Sequence, residues 1–179
     1  NEAAGAASVR VVDELLAAEM LSDPLRRHDC PPITDGGVAV VIAAEDKARE
    51  WSDRPAWITG IDHRIDSHNF GAADLTRAPS IAVAAQKAGV ADKAIDLAEV
   101  SAPFSHQERI VRNELGLRDD VTVNPSGGAL AANPMLAVGL IRIAEVANRI
   151  IDGSAGRGVA HATGGHLLQQ NLVAVLEGE

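Results

Sequence analysis

Apolar residues recur at helical spacing over residues 6–20 and stop at Ser22-Asp23-Pro24, which predicts a first helix and its break. After the turn Thr34-Asp35-Gly36-Gly37, the run Val38 to Ala44 is continuously apolar rather than alternating, the pattern of a strand buried on both faces. A short helix is expected from Glu45 to Trp51, and Ser52-Asp53-Arg54-Pro55 marks the clearest boundary in the chain. Beyond it the pattern predicts a strand over Ala56–Ile65 with a bulge at Gly60, then a polar loop over 66–73. A helix over Ala78–Ala88 has Pro79 in its first turn and Gly89 at its stop.

Further along, Ile95–Val100 reads as a strand, Phe104–Leu115 as a helix ended by Gly116, and Val121–Asn124 as a short strand or loop entry. Leu136–Ile150 is an apolar helix, and Gly158–Thr163 and Leu172–Leu176 are two closing strands that can pair antiparallel across Gly164-Gly165. Alternating strands and helices of this kind predict an α/β fold, a mixed sheet covered by helices on both faces. A Gly-x-Gly-x-x-Gly turn between strand and helix is absent, as is a Gly-x-x-x-x-Gly-Lys-Ser/Thr loop, so nucleotide folds built on those turns are disfavoured.

Composition narrows the function classes. The chain of 179 residues suffices for one large core and is short for two. A net charge of -9 and only 2% aromatic residues argue against nucleic acid, which needs a concentrated basic surface and stacking rings. The lone Cys30 excludes an internal disulfide and a multi-cysteine metal site, and His28-Asp29-Cys30 lacks further ligands at metal-site spacing. No apolar run reaches membrane-span length and no leader pattern is present, so a cytoplasmic location is the expectation.

Four blocks carry a resemblance. They are Asp35-Gly36-Gly37 with the following apolar run, Asp96 to Phe104, Asn124 to Gly139, and Ala160-His-Ala-Thr-Gly-Gly-His166. In this order and spacing they resemble the later part of the thiolase superfamily, with the lipid-transfer (sterol carrier) and thiolase-like aldolase branch the nearest in pattern. The resemblance implies a thiolase-like α/β/α layered fold. It makes residues 1–51 the tail of an N-terminal domain and residues 56–179 the C-terminal domain. The missing N-terminal half, in the same or another chain, would carry the nucleophilic cysteine.

The implied chemistry is carbon–carbon bond cleavage or formation on acyl-CoA thioesters, which needs an activated nucleophile, an acid/base group and donors for a developing enolate. The family's histidine falls at Asn133, its acid/base cysteine at Ala162 within one residue, and its water-holding Asn or His at Ser101. Asn133 can donate a hydrogen bond but cannot act as a base at neutral pH. Candidate site residues are therefore Ser101, Asn133, His161 and His166, with Gly127, Gly128, Gly164 and Gly165 as close-approach positions for coenzyme A. The two histidines either enter the pocket or serve packing and surface roles.

The resemblance suggests retro-aldol or Claisen-type cleavage in lipid or steroid side-chain degradation. A catalytically silent subunit supporting an active partner and an ordinary acetyl-CoA acyltransferase are the alternatives. It further implies no tightly bound cofactor, coenzyme A thioester as substrate, a homodimer or hetero-oligomer, and a companion with an OB fold and zinc ribbon.

Overall fold

The computed structural model describes residues 12–69, 71 and 73–179. Helix α1 covers Val12–Ala17; the rest of the helix expected over 6–20 lies partly outside the described residues. Where the sequence shows only a break, strands β1 (Met20–Ser22) and β2 (Leu25–Arg26) form a small antiparallel hairpin around Pro24. Helix α2 is Glu45–Trp51, as the pattern predicts.

The main sheet has five strands: β3 (Trp57–Ile65), β4 (Leu97–Val100), β5 (Thr122–Val123), β6 (Arg157–Gly164) and β7 (Gln170–Glu177). Their order is β3-β7-β6-β4-β5. β3, β7 and β6 are joined antiparallel, whereas β6, β4 and β5 run parallel, so the sheet is mixed. Its helices are α3 (Pro79–Lys87), α4 (Ser105–Glu114), the single turn α5 (Gly128–Ala131) and α6 (Val138–Ile151).

Strand alternation sends side chains to two separate cores. On one face Ala98, Val100, Val159, Val173 and Val175 meet Ile81, Ala84 and Val111 of α3 and α4. On the other, Leu97, Ala160, Ala174 and Leu176 meet Val146 and Ile150 of α6. The result is the expected α/β/α layering. The bulge expected at Gly60 is present as a register shift between Ile58 and Gly60. It has a steric reason: a Cβ at Gly60 would lie 2.0 Å from the carbonyl oxygen of Ala88, so only glycine admits the end of α3 there.

One expected strand does not form. Residues 38–44 have no strand partner among the described residues, and Val41 and Ile42 are 83% and 78% exposed. Their apolar pattern is that of a central strand, but a strand needs neighbours to bond its backbone. The boundary at 52–55 is instead tied to the sheet's helical layer. Arg54 donates from Nε to the Ile150 carbonyl (2.6 Å) and from Nη2 to that of Ala155 (3.2 Å).

Candidate functional site

β4, β5 and β6 are parallel, so their C-terminal ends lie at one end of the sheet. Three segments leave that end: Ser101 after β4, Asn124–Gly128 after β5, and the closing turn 165–169 after β6. Ligands of open α/β sheets gather at such strand ends. Ser101 is buried, and its backbone N–H donates to the His161 carbonyl at 3.1 Å.

The Asn124 turn is held from several sides. Asn124 has φ +50, its Oδ1 accepts from the Val100 N–H (2.8 Å), and its Nδ2 donates to Glu108 (2.8 Å). Gly127 and Gly128 follow with φ of +95 and +64. A Cβ at Gly128 would sit 2.7 Å from Asn124 Cγ, so the turn needs glycine for both conformation and space.

Beneath it lies a buried charge network that the sequence reading did not anticipate. Glu99, fully buried in β4, accepts from the Ser126 N–H (2.9 Å), the Ser126 hydroxyl (2.7 Å) and Arg142 Nη1 (2.9 Å). Arg142 Nη1 also reaches the Ser126 hydroxyl at 3.0 Å. The available signal was one acidic residue interrupting an apolar strand and one basic residue interrupting an apolar helix. Buried charges require partners, so each predicts the other.

Asn133 is half-buried and forms an isolated parallel bridge with Ile33. Gly36 lies against Pro134, so the 33–36 segment runs beside the Asn133 loop. Six residues on, the first turn of α6 abuts β6: a Cβ at Gly139 would come within 2.7 Å of the Ala162 Cβ. The Asn133 loop and the closing strand are thus joined through α6.

Among the described residues no hydrogen bond links Asn133 with Ser101 or with residues 161–166. His161 and Ala162 are adjacent in β6 and face opposite layers. Ala162 faces α6, whereas His161 lies fully buried on the α3 side, its Nε2 2.9 Å from Asn171 Oδ1. Burial pushes its pKa down to about 4, against a smaller upward pull from Asn171. His161 is therefore neutral at pH 7. His166 is exposed on the closing turn, beside Gly164 and Gly165.

Groups of three or more His, Cys, Asp or Glu side chains able to hold a metal ion are absent among the described residues. His63, His68 and His106 are exposed. Cys30 is a half-buried free thiol. No helix among the described residues is long and apolar enough to cross a membrane.

A cavity of about 660 Å³ lies away from these strand ends, between residues 41–43, α2, β3 and α6. Val41, Ile42, Trp51, Trp57, Ala147 and Ile151 are among its lining residues. The lining is mostly apolar, with Glu45, Arg49, Ser52 and Glu179 also contributing.

No family model matches the chain. Individual proteins do. An acetyl-CoA acetyltransferase of Methanothermobacter thermautotrophicus is 32% identical over 187 residues, covering 86% of this chain and 48% of that protein. A β-ketoadipyl-CoA thiolase of Pseudomonas putida is 27% identical over 128 residues, covering 70% of this chain and 31% of that protein. In fold, the crystal structure of human mitochondrial 3-ketoacyl-CoA thiolase superposes with a TM-score of 0.71 at 22% identity, covering 95% of this chain and 43% of that one.

A mixed α/β/α half with glycine turns at its parallel strand ends, together with these matches, defines a class. The chain belongs to the thiolase superfamily. It spans about half the length, or less, of the curated relatives it matches. Those relatives are acetyltransferases and thiolases by name, and none shown here singles out the lipid-transfer branch.

Proposed function

We propose that this chain forms one half of a site for acyl-CoA thioesters and takes part in carbon–carbon bond chemistry of the acetyl-CoA acyltransferase type. The observation that supports it is the 32% identity with an acetyl-CoA acetyltransferase across 86% of the chain. In this reading the thioester enters at the ends of β4, β5 and β6. Asn133 donates a hydrogen bond to its carbonyl oxygen or to a water on it, and Ser101 assists. The glycines at 127, 128, 164 and 165 let backbone approach the ligand.

Neither Asn133 nor Ala162 can move a proton at neutral pH. The nucleophile and acid/base groups must then come from the other half, whether in the same or a second polypeptide. That half would cover the groove at Val41, Ile42, Trp57 and Ile151. Deleting one donor to a developing oxyanion costs about 2.7–4 kcal/mol of transition-state stabilisation, and Asn133→Ala should lose turnover by that measure. Asn133→Asp should lose at least as much, because a carboxylate repels a forming enolate.

A second reading rests on the same Asn133. Cleavage of a β-hydroxyacyl-CoA adduct by retro-aldol chemistry needs a base at the hydroxyl and donors for the enolate but no acyl transfer, so Asn133 suits it as a donor, with the base supplied by the other half. The intact assembly, with any companion chain, should be assayed on a 3-ketoacyl-CoA with free coenzyme A and on a β-hydroxyacyl-CoA adduct. Thiolysis that falls in Asn133→Ala supports the first reading, and adduct cleavage alone supports the second. Unchanged turnover of both in the variant removes Asn133 from the site and leaves a supporting subunit.

A further inference from the structure

A chain of buried polar groups runs through the layer between α3 and the sheet, on the opposite side from Ala162. Asp66 ends the 57–66 segment and receives the Ser80 N–H on Oδ1 (3.0 Å) and the Ser80 hydroxyl on Oδ2 (2.6 Å). Ser80 stands in the first turn of α3, where N–H groups lack helical partners. Asn171, fully buried in β7, donates from Nδ2 to the Ser80 oxygen (2.7 Å) and to the Leu168 carbonyl (2.6 Å). His161 Nε2 meets Asn171 Oδ1 at 2.9 Å.

The proton pattern of this chain has one solution. The Leu168 carbonyl can only accept, so the Asn171 amide nitrogen must face it and its oxygen must face His161. That oxygen also only accepts, so His161 carries its proton on Nε2. Nδ1 is left as a bare acceptor, and it has no hydrogen-bond partner among the described residues. The single Ser80 hydroxyl proton goes to Asp66, which leaves its oxygen free to accept from Asn171.

The chain ends on the closing turn. Leu168 has φ +56, a conformation that costs a non-glycine residue. Its carbonyl is held there by Asn171. Gln169, also buried, holds the same turn by accepting the Leu167 N–H at 2.9 Å. The Gln169 carbonyl in turn accepts the Asp66 N–H at 2.7 Å. Asp66 therefore touches the turn twice, once through its own backbone and once through Ser80 and Asn171.

We propose that Ser80 and Asn171 are positioning residues for the closing turn 165–169, Ser80 oriented by Asp66 and Asn171 by the Leu168 carbonyl, with His161 locked as the Nε2–H tautomer at the far end of the relay. A purely packed core would not need this one-way order of donors and acceptors. The relay stands on geometry alone; only the use of the turn in thioester binding rests on the function proposed above.

Nitrogen-resolved NMR of histidine-labelled intact protein reads the tautomer, and amide exchange reads the turn. The wild type should show His161 as Nε2–H with Nδ1 unprotonated. Ser80→Ala should leave the tautomer in place, because the Leu168 carbonyl still orients the Asn171 amide, and should speed exchange of the hydrogen-bonded Leu167 and Asp66 amides by about fivefold, the factor of one ordinary hydrogen bond. Ser80→Thr, which keeps the hydroxyl, should restore wild-type exchange. Val173→Ala, a cavity on the same face, should lower stability without a rise confined to the Leu167 and Asp66 amides, which separates the relay from general loosening. An Nδ1–H tautomer in the wild type, or wild-type turn exchange in folded Ser80→Ala, overturns the proposal. Acetyl-CoA titration of the same samples keeps the two claims apart. Absence of binding to the wild type removes the thioester reading and leaves the relay, whereas a wrong tautomer removes the relay and leaves the thioester reading.

Discussion

Acid should destabilise this protein through His161 before general carboxylate protonation does. The group is fully buried, and its pKa falls from 6.5 to about 4 on folding. Below pH 6.5 the unfolded chain takes up a proton at this position that the native state refuses until about pH 4. Stability therefore falls as pH drops through that window, and the loss is complete below the native value. With about 1.36 kcal/mol per pKa unit, the full loss is about 3 kcal/mol, and about 2 kcal/mol is already lost at pH 5.

The assay is urea unfolding at several pH values between 7.5 and 4 for the wild type and His161→Gln. The glutamine keeps an amide donor for Asn171 but cannot titrate, and the carboxylates common to both proteins cancel in the difference. The gap between the two stabilities should shift in favour of the variant by the amounts above as pH falls. Parallel pH profiles, or a native imidazole that titrates near 6.5, would refute the reasoning.

Arg142→Met should cost about 3–5 kcal/mol in urea unfolding, because it strands the Glu99 charge in the core; a loss under about 1 kcal/mol would show that Glu99 finds another partner. Pairing it with Glu99→Leu should recover part of that loss, since the uncompensated charge is gone. Gly60→Ala should cost about 1–3 kcal/mol, because its Cβ would meet backbone at 2.0 Å rather than a movable side chain; a neutral change would mean that α3 shifts freely on the sheet.

Much of the fold is written in local pattern. The alternation and turn residues from Trp57 to Glu177 foretell each main strand and the long helices to within a few residues, and Gly60 foretells its bulge. These features depend on neighbours in the sequence or on one steric contact. Residues 38–44 show the opposite case. Their apolar run describes the partners a strand would have, and among the described residues those partners are absent. The β1–β2 hairpin escapes notice because two or three residues per strand carry no readable period.

The candidate site divides the same way. Glycine turns at 127–128 and 164–165 are visible because glycine itself is the signal. His161 and Ala162, as strand neighbours, must face opposite layers, but which layer takes His161 is set by pairing with β4 and β7 across distant sequence. The Asp66–Ser80–Asn171–His161 relay includes a direct bond between residues 91 positions apart, so no spacing rule in the sequence could reveal it.

The most direct test of the central claim is to map acetyl-CoA binding on the intact protein by backbone amide shifts. The account predicts saturable changes at Ser101 and Gly164–His166, at the shared end of β4 and β6, and around Asn133. No binding, or changes confined to the groove lined by Val41, Trp57 and Ile151, would contradict it.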